Sequence, residues 1–361
     1  MTNWKTYKLG EIAKFQTGKL NSNAAVENGK YPFFTCSPTT LAIDDYAFDK
    51  EAILLAGNNA EGNFSIKYFK GKFNAYQRTY IIEAKNDICD IKFLFYALKI
   101  CLHQFKQMSQ GTSTKFLTAV ILNNFEITLP SLEDQRRIAG ILGAIDDKIE
   151  NNRRINTNLE SQAQALFEEF FFSNNNWEHR TLGDLTEEVK ERVNGRDAKV
   201  LSPISSGELV LSEDYFTKQV YSQDISKYIV VEPNGFAYNP ARINIGSIGI
   251  NAFDFTGCVS PVYVVFKTKN EYENFFRLFA KSDIFKEEVK SRAIGGVRQT
   301  LSYQDFAMIK VKYPPLEIVR EFNSRYTILL NILNHNTQEN DRLASLRDTL
   351  LPKLMNGEIK L

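Results

Sequence analysis

No stretch of the 361 residues approaches the ~18 uninterrupted apolar positions that a membrane helix needs, so no span is expected. Met1-Thr2-Asn3-Trp4-Lys5 leads into no apolar leader segment, and a cytoplasmic location is the expectation. Cysteine is scarce. Cys36, Cys89, Cys101 and Cys258 form no CxxC pair and no zinc spacing, and they read as reduced, mostly buried thiols. Histidine is scarcer: His103, His179 and His335 lie far apart, which removes a histidine-based metal centre. An excess of either charge is missing too. The 44 Lys and Arg stand against 43 Asp and Glu, a net charge of +1, which argues against a freestanding, high-affinity nucleic-acid binder. No Gly-x-Gly-x-x-Gly follows a strand and no Gly-x4-Gly-Lys-Ser/Thr occurs, so neither dinucleotide nor ATP phosphates have a cradle here.

What the chain has is a repeat. Asn3-Trp4 followed by Leu9-Gly10-Glu11-Ile12 recurs as Asn176-Trp177 followed by Leu182-Gly183-Asp184-Leu185, an offset of 173. From Gly111 onward the offset is 184 without a gap: Gly111 matches Gly295, Leu117 matches Leu301, Pro130 matches Pro314 and Arg136 matches Arg320. Each copy therefore has a body of variable length and a tail of fixed length. Length varies freely in surface loops and not in a packed helix, so bodies and tails are different kinds of object.

The bodies are mixed α and β. Ala52–Leu55, Thr79–Ile82 and Val262–Phe266 are short β-branched or aromatic runs and predict strands. Phe93–Leu102 and Tyr272–Val289 carry helical spacing, with His103 a packing residue at the end of the first. Each body closes on a short strand leading to proline, at 125–130 and 308–314.

The tails predict long helices, the first from about 132 to 172. Ile138, Leu142, Ile145, Ile149, Asn152, Asn156, Leu159, Ala163, Leu166 and Phe170 alternate in steps of four and three. Phe322, Tyr326, Leu329, Leu333, Asn336, Asn340, Leu343, Arg347, Leu350 and Leu354 repeat those steps. Both stripes are as narrow as a coiled-coil seam, and both are interrupted by asparagines at equivalent places. A buried Asn costs stability and penalises wrong register, so the two tails are expected to pair with each other, antiparallel. The alternative is two amphipathic helices, each packed on its own body. Pro352 is expected to kink or end the second helix, with Asn356-Gly357 as its stop. A 40-residue helix is on the order of 60 Å long, so pairing predicts a calliper with one body at each end.

At these residues the chain resembles the specificity (S, HsdS) subunits of Type I restriction–modification systems. The resemblance covers nearly the whole chain. It rests on Trp-x4-Leu-Gly-[Glu/Asp]-[Ile/Leu], on Gly-Thr-Ser-Thr-Lys-Phe-Leu (111–117) and Gly-Gly-Val-Arg-Gln-Thr-Leu (295–301), and on residues 129–139, 238–249 and 350–359. It implies an α+β fold with two repeated mixed α/β target recognition domains, 1–130 and 174–314. These are separated by two long helices, 131–173 and 315–361, forming a pseudo-two-fold antiparallel coiled coil. It also implies double-stranded DNA with a bipartite target, two methyltransferase (M) subunits docked on the helices, and restriction/motor (R) subunits joined through the complex. S-adenosylmethionine, ATP and Mg would then belong to the partner subunits, with no cofactor or metal in this chain. Val319 departs from the pattern, standing where the first copy has Gln135.

No catalytic residue is assigned. Asn239-Pro240-Ala241-Arg242 lacks the second proline and the aromatic of an adenine-methyltransferase motif, so it is a decoy. Arg and Lys read guanine, Asn and Gln read adenine, and other basic and hydroxyl groups hold phosphates. On that basis the candidate DNA contacts are Asn58, Asn59, Tyr76, Arg78, Thr112, Ser113 and Lys115 in the first body. In the second they are Arg242, Asn244, Arg292, Arg298 and Gln299. Each has a plain alternative as a solvated loop residue. Gly140 and Gly143, costly inside a helix, would admit close approach of a partner. Two other functions remain open at this stage: a protein-bridging coiled-coil scaffold, and a self-contained DNA methyltransferase or nuclease.

Overall fold

A computed structural model describes residues 4–85, 87–173, 177–216, 221–269, 271–292 and 300–359. The chain divides into two compact units, Met1–Arg153 with Asn336–Leu361, and Arg154–His335. The division cuts both long helices, Leu132–Phe171 and Leu316–Met355, so each unit holds one body and a portion of each helix.

In the first unit, strand Lys5–Lys8 pairs antiparallel with Glu126–Leu129 and joins the two ends of the body. Six further strands lie side by side in the order Ala13–Thr17, Thr79–Ala84, Phe48–Ala56, Ile66–Ala75, Tyr31–Phe34 and Leu41–Ile43. The sheet is covered on both faces at its centre, which explains the unbroken apolar run at 52–55. Ile53, Leu55 and Ile82 face the main core with helix Ile91–Ile100, while Ala52, Leu54 and Ile81 face a second cluster with Phe34 and Phe73. The helix begins where the Asp90 carboxylate accepts the Phe93 N–H at 2.9 Å.

The second unit repeats this frame around a different interior. His179–Thr181 pairs with Lys310–Lys312 as the first strand pair does. Where the first body has one six-stranded sheet, the second has two of four strands. One orders Thr186–Val189, Val264–Thr268, Phe236–Tyr238 and Ile248–Ile250; the other orders Leu209–Leu211, Lys199–Pro203, Gly257–Val259 and Ile229–Val231. The strand read at 262–266 starts two residues later, and Val262 is left exposed in a turn. The helical stretch 272–289 is broken into Glu273–Phe279 and Asp283–Arg292, the Ser282 hydroxyl capping the second piece at the Phe285 N–H.

The repeated opening turns, Leu9–Ile12 and Leu182–Leu185, are single helical turns closed by their own acids. Glu11 accepts the Lys8 N–H and Asp184 the Thr181 N–H, both at 2.9 Å. These hydrogen bonds hold the Asp184 carboxyl below its usual range. A Cβ on Gly10 would lie 2.5 Å from Asn123 Oδ1, so glycine is what lets helix Ala119–Asn124 approach.

Within each unit the two long helices pack against each other and run antiparallel. In the first unit Asn152 Nδ2 donates to Asn340 Oδ1 at 3.0 Å and to Glu339 Oε2 at 2.7 Å, and Lys148 pairs with Glu339 at 3.0 Å. In the second, Asn156 Nδ2 donates to the Leu333 carbonyl at 3.4 Å. Ile138, Leu142, Ile149, Asn152, Leu159, Phe322, Tyr326 and Asn336 are buried, while Ile145, Asn156, Leu329, Leu333, Asn340 and Leu343 are half-buried. The seam then turns by one residue. Leu166 and Leu350 are only partly covered, and Phe167 and Leu351 take the inward positions instead. The reason is a change of neighbour: there each helix packs on a body rather than on a helix alone. Pro352, expected to kink or end the second helix, does not end it: the helix runs through the proline to Met355. The proline forfeits one backbone hydrogen bond near the helix end, and burial of Leu351 and Leu354 on either side of it offsets that loss. Gly357, at φ +76°, lies just past the helix end at the expected Asn356-Gly357 stop.

Gln135 is buried at the root of the first helix, accepting from the Asp90 N–H at 2.9 Å and donating to the Ile88 and Pro130 carbonyls. At the equivalent point Val319 is buried in an apolar cluster, so the departure from the repeat exchanges a polar knot for packing. Gln135→Ala is expected to cost about 2–4 kcal/mol, because it strands one buried and two part-buried backbone groups at ~1–3 kcal/mol each with partial relaxation. Urea unfolding followed by circular dichroism measures this, and a loss below ~0.5 kcal/mol contradicts the assignment.

Candidate nucleic-acid interface

In the first body the segments that carry Asn58, Asn59 and Lys115 adjoin the Arg78 turn, 76–79. Gln77 N–H donates to the Leu20 carbonyl at 2.9 Å, and the Arg78 carbonyl accepts the Gly57 N–H at 2.8 Å and the Cys36 thiol at 3.4 Å. Asn58–Asn59 pair antiparallel with Lys115–Phe116, so Asn58, Asn59 and Lys115 share a two-stranded ribbon. Leu117 N–H donates to the Gly57 carbonyl at 2.9 Å, and the Tyr80 hydroxyl donates to the Leu117 carbonyl at 2.9 Å. Thr112 and Ser113 are exposed at the tip of the 110–116 hairpin, and Tyr76 is half-buried at its own turn. Gly111 sits at φ +106°, where a Cβ would lie 2.1 Å from the Thr114 carbonyl oxygen. Glycine alone makes that turn.

The side chains divide by commitment. The Arg78 guanidinium lies 5.4 Å over the Phe116 ring and forms no ion pair with any described residue; Lys115 forms none either. Both are free for phosphate or base contacts. Asn59 Oδ1 is already used, accepting the Glu61 and Asn63 N–H groups at 2.9 and 3.0 Å. Asn58 Oδ1 is buried without a partner. Sequence reasoning missed Phe116. Its signal was a large aromatic inside an otherwise polar loop, exposed here as a flat surface under Arg78.

The second body builds the same frame with other residues. Leu301 N–H donates to the Pro240 carbonyl at 3.0 Å and the Tyr238 hydroxyl to the Leu301 carbonyl at 3.2 Å, matching Leu117, Gly57 and Tyr80. The Arg242 loop is closed by its own backbone, with Ile245 and Ser247 N–H groups on the Arg242 carbonyl and Gly246 at φ +86°. Arg242 and Asn244 project from it exposed, and Arg242 forms no ion pair with a described residue. Arg292 is committed instead, its Nε 3.1 Å from Glu288 Oε2. Arg298 and Gln299 lie outside the described residues. His103, expected as a packing residue, is exposed and hydrogen-bonded to Gln107, because its helix turns Phe105 inward. Of the free thiols, Cys89 and Cys258 are buried and Cys36 and Cys101 half-buried; burial pushes Cys89 up to about 12 and Cys101 and Cys258 to about 11, where they are poor nucleophiles.

On the helices of the first unit, Asp146 Oδ1 takes the Arg347 guanidinium at 2.8 Å and Asp146 Oδ2 the Tyr96 hydroxyl at 2.7 Å. Arg347 thus interrupts the apolar stripe to bind the first body's helix through one carboxylate. Gly140 is open to solvent, and Gly143 faces Lys92. Among the described residues no helix is long and apolar enough to cross a membrane.

Gly111→Ala is expected to loosen the 110–116 hairpin by forcing a side chain where the backbone allows none. Amide exchange at Phe116 and Leu117 should quicken at least tenfold while Ile53 and Ile82 stay protected; unchanged exchange contradicts the role given to Gly111.

Comparisons with known proteins come to bear on this frame. Residues 1–161 match the family described as Type I restriction modification DNA specificity domain. The Type I restriction enzyme EcoDI specificity subunit of Escherichia coli is 40% identical over 163 residues, 45% of this chain and 35% of that protein, so the match spans about a third of its length. The MjaIX specificity subunit of Methanocaldococcus jannaschii is 25% identical across 99% of this chain and 94% of its own. The HindI specificity subunit of Haemophilus influenzae is 23% identical over 99% and 100%. The crystal structure of the Type I restriction-modification S subunit from M. genitalium shares the fold, with a TM-score of 0.65 over 98% of this chain and 96% of that one at 20% identity. Residues 1–161 thus carry the match to the DNA specificity domain, and along its whole length the chain is similar to specificity subunits of Type I restriction–modification systems.

Proposed function

We propose that this chain reads a bipartite double-stranded DNA site for a Type I complex, residues 1–130 reading one half and 174–314 the other. The long helices, within 131–173 and 315–361, set the spacer between the halves and carry two methyltransferase subunits. The restriction/motor subunits join through those partners, which also hold S-adenosylmethionine, ATP and Mg. The chain itself is non-catalytic: it supplies the address, and the chemistry is done elsewhere.

One observation carries this reading. Two bodies of equivalent frame carry different polar groups on the loops around it, Arg78, Lys115 and Asn58 in one, Arg242 and Asn244 in the other, which supports different half-sites. A repeat kept for structure alone has no need of unpaired arginines at its loop tips. The net charge of +1 supplies little counterion release, so binding strong enough to act requires the partners' basic surfaces.

The test is methylome mapping of cells carrying the complete complex. Exchanging residues 1–130 for another such body is expected to change one half-site and leave the other. Seven residues inserted in both long helices are expected to lengthen the spacer by ~3 bp, since ~10 Å of helix matches three steps of 3.4 Å. An unchanged spacer overturns the ruler. Arg242→Ala is expected to relax one half-site at a cost of about 1–3 kcal/mol in discrimination. A complex with no salt-dependent DNA binding would favour the protein-bridging scaffold instead.

A further inference from the structure

The second body contains a cavity of about 390 Å³, within the ~300–1,000 Å³ range of small-ligand sites. Its floor is apolar, made by Phe236, Ile243, Ile248 and Phe285, all buried. One wall is the Arg242 loop itself, through Asn244, Ile245 and Gly246. Three cations stand around it. Arg277 is buried and paired to Glu208 at 2.5 Å, and Lys286 is paired to Asp283 at 3.0 Å. The Lys281 ammonium forms no hydrogen bond or ion pair with any described residue. Its stem crosses Gly207, where a Cβ would lie 2.7 Å from Lys281 Cε, so glycine is what lets the lysine lie there. Burial, followed by the Arg277 charge beside it, holds its ammonium below the usual lysine range. Glu208 and Asp283 are in contact with the other two cations, while Glu208 and Glu160 act on Lys281 only through space, leaving its ammonium without a contacting acid beside an apolar slot.

That combination selects a ligand with a flat apolar body and one anionic group. We propose that this cavity receives a single nucleotide displaced from the DNA stack, its base against Phe236, Ile243 and Phe285 and its phosphate at Lys281. The proposal deepens the reading of the Arg242 loop as a DNA-facing surface and rests on it. An unstacked base loses its neighbours' contacts, and an apolar slot beside the groove-reading loop returns part of that loss. Reading by displacement would add specificity at a position that Arg242 and Asn244 do not touch.

The test is isothermal titration calorimetry of the full chain with dAMP, dCMP and deoxyadenosine. dAMP or dCMP is expected to bind saturably and at least tenfold more tightly than the uncharged nucleoside. Lys281→Gln should erase that difference, and Lys281→Arg should restore it. No binding of any mononucleotide at millimolar concentration, or equal affinity in Lys281→Gln, overturns the proposal. Arg242→Ala separates it from the reading beneath: an altered half-site with mononucleotide binding intact supports both. An unaltered half-site removes the DNA-facing loop, and with it the displaced nucleotide, even where dAMP binds.

Discussion

Each body is completed by the helix of the other repeat, and everything else in the molecule depends on that exchange. In the first unit Leu351 and Leu354, from the end of the second helix, are buried with Leu9, Ile12, Leu129 and Leu142. In the second, Ala163, Phe167 and Phe171, from the end of the first helix, are buried with Phe275, Phe322 and Tyr326. Phe171 packs edge-on against Phe275 at 4.8 Å and Phe322 at 4.9 Å. At ~1.5–3 kcal/mol for each large apolar side chain, these few residues account for a substantial share of a unit's stability. Neither body reaches that core composition from its own sequence. A single unpaired repeat would expose those faces, and the pairing of the tails is thereby coupled to the folding of the heads.

Register along the helices is set by the polar groups rather than the apolar ones. Leucines tolerate sliding, whereas Asn152 must meet Asn340 and Glu339, and Asp146 must meet both Arg347 and Tyr96. A shift by one turn would leave a buried amide and a half-buried carboxylate without partners. Polar groups held at such a price serve specificity of arrangement. Because Tyr96 belongs to the first body, the same carboxylate fixes that body's helix on the paired stalk as well as the register between the helices of that unit.

Much of this was legible in the sequence because repetition is read without knowing any contact. The matched openings, the fixed-length tails and the paired asparagines located the frame, and the match of Gly111 to Gly295 marked a shared loop. What was hidden depended on neighbours remote in sequence. A strict seam led to Leu166 and Leu350, but packing on a body rotates the buried face to Phe167 and Leu351. The second body's division into two sheets is unreadable from strand propensity, since either arrangement buries the same alternation. Arg292 looked like a reading residue until its ion pair with Glu288 spent it, and Phe116, exposed under Arg78, was missed. Which arginine is free is a question of geometry, and composition does not answer it.

The antiparallel, in-register pairing of the two helices is tested most directly by cross-linking. In a chain whose native cysteines are replaced, Lys148→Cys and Glu339→Cys place thiols where the ion pair now stands. The account predicts a disulfide formed rapidly within a single chain, and none when the partner cysteine is placed at Arg325 instead. Absence of the first bridge, or its formation only between chains, would contradict the paired stalk on which the assignment stands.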